Sequence, residues 1–111
     1  MDEGTLGQVR EKVIFLEKTY NVRVTDQSVL ILGECFTAIL KDPHRSWPIR
    51  ESKETPAIDI RALHYDMLNA LPSTLASFAA EQRIKTITSF ELLHSMSSII
   101  DHMCPFVKPP P

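Results

Sequence analysis

In the stretch TLGQVREKVIFLEKTY, residues 5–20, Leu6, Val9, Val13, Leu16 and Tyr20 recur at spacings of three and four. That period puts all five on one stripe of a helix, and such a stripe is stable in water only when another element covers it. Arg10 and Glu17 flank one side of the stripe and Lys12 the other, as charged residues do beside a helix–helix seam. Two heptads are too few to make a coiled coil. The constraint is therefore a helix packed on helices.

The same period returns along the chain. Asn21 tolerates the left-handed conformation that ends helices, and the following Val-Arg-Val is too short and isolated for a strand, so it reads as a connector. Thr25 or Asp26 then caps a second helix through DQSVLILGECFTAILKD, whose apolar face is Val29, Leu32, Cys35, Phe36, Ile39 and Leu40. Leu30 and Ile31 make its first half apolar nearly all round, as expected of a central helix or of one that meets a second chain. Asp59 can cap a third helix with Ile60, Leu63, Met67, Leu71, Leu75 and Phe78 inward. Pro72 lacks an amide proton and crowds the preceding turn, so a kink near Asn69 or a break into two helices is expected there. Thr88 and Glu91 form a capping box ahead of LLHSMSSIIDHM, with Leu92, Leu93, Met96, Ile99, Ile100 and Met103 as the buried stripe and Pro105 as the stop.

The pattern fails from Asp42 to Ile58, where Pro43, Pro48 and Pro56 interrupt a charged stretch. The expected fold class is thus all-α. It is a small bundle of four to five helices, with one long proline-containing loop over about 42–58 and an extended proline-rich C-terminal tail. Residues 1–104 are expected to form a single helical domain and 105–111 the tail. A chain of 111 residues can bury one core without staples, and 43% hydrophobic against 23% charged residues is a globular balance.

Composition also narrows function. Twelve basic and fourteen acidic residues leave a formal charge of −2, so nucleic-acid binding would have to rest on a local patch and is not expected. No apolar run approaches the eighteen or so residues of a membrane span, and Met1–Gly4 has neither the basic region nor the apolar run of a signal peptide. A cytoplasmic protein is expected, with Cys35 and Cys104 reduced rather than joined.

No metal or cofactor is expected. His94 and His102 lie eight residues apart, about 12 Å along a helix and too far to share an ion. Asp101, His102 and Cys104 are three ligand types in one unaligned segment, and His102 more simply answers the negative end of a helix. Arg61, His64 and Tyr65 fall on neighbouring turns and read as a solvated face. The serines at 89, 95, 97 and 98 carry no nucleophile motif, and none of the three glycines sits in a phosphate-cradling loop. The expectation is a protein that is not an enzyme, and no small-molecule substrate is identified.

The long loop holds HRSWPIR, with the only tryptophan between two arginines. Trp47 can serve as a lid tucked into the core, its direction set by Pro48, or as an exposed anchor for a partner, since Trp and Arg dominate interface hot spots. Candidate partner-binding residues are Arg45, Trp47 and Arg50 in the loop and Val29, Leu30 and Ile31 on the second helix. The expected function is a small interaction module, an adaptor or regulatory subunit, with a protein partner that includes a second copy of itself. Its motive is the apolar surplus at Val29–Ile31 and Val13–Phe15. The alternative is a module for a phosphate-bearing ligand or nucleic acid, acting through the basic and aromatic loop 41–53.

Overall fold

The computed structural model describes residues 2–41 and 60–103, so the loop with Arg45, Trp47 and Arg50, the Asp59 cap and the tail from Cys104 onward lie outside the described residues. Within them five helices and a short two-strand pairing follow one another, and the all-α class holds. Helix α1 spans Glu3–Tyr20. The Asp2 carboxylate caps it, accepting from the Gly4 amide at 3.3 Å and the Thr5 hydroxyl at 2.7 Å. Asn21 ends it in the left-handed conformation, φ 57°, with its amide on the Glu17 carbonyl.

The Val-Arg-Val connector is a strand after all. Arg23–Val24 is β1, and it pairs in parallel with β2, Thr86–Ile87, in the register Arg23 to Thr86 and Val24 to Ile87. Two residues on each side, 63 positions apart, give no local signal. The pairing is secured tertiarily: Arg23 donates to the Lys85 carbonyl at 2.8 Å and Thr25 to the Ile87 carbonyl at 3.1 Å. The buried Ser28 hydroxyl donates to that same Ile87 carbonyl at 3.2 Å. Thr25 is the cap of α2, Asp26–Lys41, its hydroxyl accepting from the Ser28 amide at 3.4 Å.

Helix α3 runs unbroken from Ile60 to Gln82 with Pro72 inside it, so of the expected kink or break the break does not occur. Met67, Leu71 and Leu75 are fully buried and Leu68 nearly so, on both sides of the proline. At roughly 1.5–3 kcal/mol for each such side chain, keeping the stripe continuous outweighs the ~3 kcal/mol that an internal proline costs. Lys12 reaches across from α1 to Asn69 at 3.0 Å on the same turn. Arg83 closes the helix with φ 56°, and the Ile84 amide on Ala79 and the Arg83 amide on Ala80 complete a Schellman turn with arginine where glycine is usual.

The last predicted helix is two. Helix α4, Ser89–His94, opens on the expected box, the Thr88 amide donating to the Glu91 carboxylate at 2.7 Å and the Thr88 hydroxyl donating to the same oxygen. Ser95 leaves helical geometry at φ −111°, ψ 13°, and α5 follows over Met96–Met103. The step turns the apolar stripe: Leu92, Ile99 and Met103 stay in the core, while Leu93, expected inside, faces solvent. Helix α1 packs on both α2 and α3, and α3 also on α2 and α5. Val9, Leu16, Leu32, Phe36, Ile39 and Ile87 fill the centre with the α3 leucines.

Candidate interaction surface

Three residues in succession on a helix point about 100° apart, and this decides the fate of Val29, Leu30 and Ile31. Val29 turns into the core, Ile31 lies half-buried against it, and Leu30 stands 42% exposed. On α1 the same geometry leaves Ile14 and Phe15 just over half exposed beside half-buried Val13. Tyr20, placed on the buried stripe by its spacing, is instead open to solvent at the end of the helix.

Ile14 and Leu30 both line a groove of about 470 Å³ walled by α1, β1 and α2. Val13, Val24 and Val29 give it an apolar lining, and Arg10, Glu17, Arg23 and Asp26 supply charges of both signs. Arg23 Nε and Glu17 Oε1 approach to only 4.0 Å, with both side chains largely in water, so they remain available to other partners. On α1 the lining residues Arg10, Val13, Ile14 and Glu17 follow the i, i+3, i+4, i+7 order of a single helix face.

At the other end, a second cavity of about 350 Å³ is bordered by Asp2, Thr5, Gln8, Leu40, Arg61 and His64. The solvated face expected for Arg61, His64 and Tyr65 does not form: Tyr65 is exposed but His64 is 6% exposed. Its position four residues after Ile60 and before Met67 and Leu68 is the core spacing, a signal already in the sequence. The imidazole meets the Phe36 ring edge-on, centroids 5.5 Å apart at 89°. Burial depresses its pKa, while a hydrogen bond to the Phe36 backbone and the Asp2 charge pull it back up. Its Nε2 is buried with no hydrogen-bond partner among the described residues.

Phe90 is the most exposed large apolar side chain among the described residues, and its ring stacks on that of His94 at 6.1 Å. It sits inside the Thr-Ser-Phe-Glu cap, where helical periodicity places no core residue. Cys35 is a free, half-buried thiol, and burial with the neighbouring Glu34 charge pushes its pKa up. Among the described residues no three His, Cys, Asp or Glu side chains gather around a metal-sized site, and no helix is long and apolar enough to cross a membrane. No protein-family model, no curated protein and no solved structure matches the chain.

Proposed function

We propose that the protein is a small non-enzymatic interaction module of the cytoplasm, an adaptor or regulatory subunit, that self-associates into a homodimer through its α1 and α2 faces. One observation carries this: Ile14 and Leu30 stand 53% and 42% exposed on a groove with an apolar lining. Contiguous apolar surface flanked by charge is how interaction sites present themselves, and a two-fold contact covers the patch on both copies at once. Val29 supports the groove from within the core rather than touching a partner, and Leu30 carries the contact from α2.

The test is light scattering on the purified chain from about 1 μM to 1 mM, with Ile14→Glu and Leu30→Glu as variants. A mass that rises toward twice the monomer with concentration, and fails to rise in either variant, supports self-association. A native mass that stays monomeric throughout refutes it.

A further inference from the structure

We infer that the two copies meet across a two-fold axis with their α1 helices antiparallel, Arg10 of each copy pairing with Glu17 of the other. This rests on the self-association proposed above and adds its register. The α1 face on the groove reads Arg10, Val13, Ile14, Glu17. It is symmetric about the midpoint of Val13 and Ile14, with one cation three positions before the pair and one anion three positions after it.

An isologous contact sets a patch against itself, so the layout of its charges selects the axis. With α1 antiparallel and centred on that midpoint, Val13 meets Ile14 and Arg10 meets Glu17, twice. With α1 parallel, Arg10 meets Arg10 and Glu17 meets Glu17, and both contacts repel. The charges stand about 10.5 Å apart along the helix, at 1.5 Å per residue, so they bracket an apolar contact about two turns long. Arg10 and Glu17 are both exposed, and Glu17's present contact with Arg23 is loose enough to accommodate a second guanidinium. A partner of uniform charge would not match a rim of both signs. A second copy does.

The experiment is charge reversal read by sedimentation equilibrium on the full chain. Arg10→Glu and Glu17→Arg should each weaken dimerisation about tenfold, because each places like charges opposite one another twice. The double variant Arg10→Glu/Glu17→Arg should return to near the native constant, and mixing the two single variants should restore association in trans. Circular dichroism of each variant confirms the fold, which two exposed substitutions leave intact. If the native dimer forms but the single reversals do not weaken it, or the double variant fails to recover, the antiparallel register is wrong while self-association stands. If the native chain is monomeric at every concentration, the proposed function falls with it.

Discussion

Replacing His64 with leucine isolates one titration in the core. In the native fold the imidazole is 6% exposed, hydrogen-bonded to the Phe36 backbone, and its Nε2 has no partner among the described residues. Burial opposes the charged form, so the folded pKa lies below the 6.5 of the unfolded chain. As pH falls through 6.5 the unfolded chain takes up the proton first, and stability drops until the folded pKa is passed. The contribution is fully present above pH 6.5 and is lost below it, with a slope of at most about 1.4 kcal/mol per pH unit. The Phe36 bond and the Asp2 charge narrow that window, so the native protein should lose stability between pH 7.5 and 5.5 by less than that limiting slope allows. His64→Leu removes the titration. It also removes a buried acceptor that has no partner among the described residues, a cost of about 1–3 kcal/mol, against a lost hydrogen bond of about 1 and an edge contact of about 0.5–1.5. At pH 7.5 the variant should therefore fall within about 1 kcal/mol of the native protein. Urea unfolding followed by circular dichroism at pH 7.5, 6.5 and 5.5 measures both quantities. Parallel pH dependence in the two proteins would refute a neutral, buried His64.

Pro72→Ala restores a backbone hydrogen bond in α3 and relieves its crowding; after loss of the buried ring's packing, a net gain of about 1–2 kcal/mol is expected in urea midpoints. Thr88→Ala strips the hydroxyl from the capping box and should cost about 1 kcal/mol, with earlier hydrogen exchange in α4 than in α3. Ser28→Ala removes the buried donor to the Ile87 carbonyl and should cost about 1 kcal/mol, showing most strongly as loss of amide protection at Arg23 and Thr25. Leu71→Ala, at a fully buried site, should cost about 2–5 kcal/mol of unfolding free energy.

Helical period and end chemistry made most of the fold legible. The stripe of α1 as far as Leu16, the Asn21 stop, the Thr25 cap and the Thr88–Glu91 box are all local, and each is where the residues put it. What escaped was decided at a distance. Nothing between Val22 and Thr25 announces a strand, because its partner and its buried Ser28 prop belong to tertiary contacts. Pro72 reads locally as a kink or a break because its local penalty is visible and the continuous burial of Leu68, Leu71 and Leu75 is not. Leu93 was assigned inside by a period that Ser95 interrupts one residue later. Of the candidate partner residues on α2, periodicity alone separates inward Val29 from outward Leu30.

The strength of any self-association follows from the same surface. Ile14 and Leu30 are already about half buried in one copy, so covering the remainder contributes roughly 1 kcal/mol each, or about 4 kcal/mol over two copies. Association costs an estimated 4–15 kcal/mol in lost translational and rotational freedom. The apolar contact alone therefore reaches only the lower edge of that cost. A dimer needs further contributions, and four charges at the groove are positioned to add them at the rim, where each exposed pair gives up to about 1 kcal/mol and salt removes it. The expected dimer is accordingly weak, with dissociation in the millimolar range and loosened by high salt. A nanomolar, salt-insensitive dimer would mean that the contact lies elsewhere, on a larger apolar surface than α1 and α2 expose.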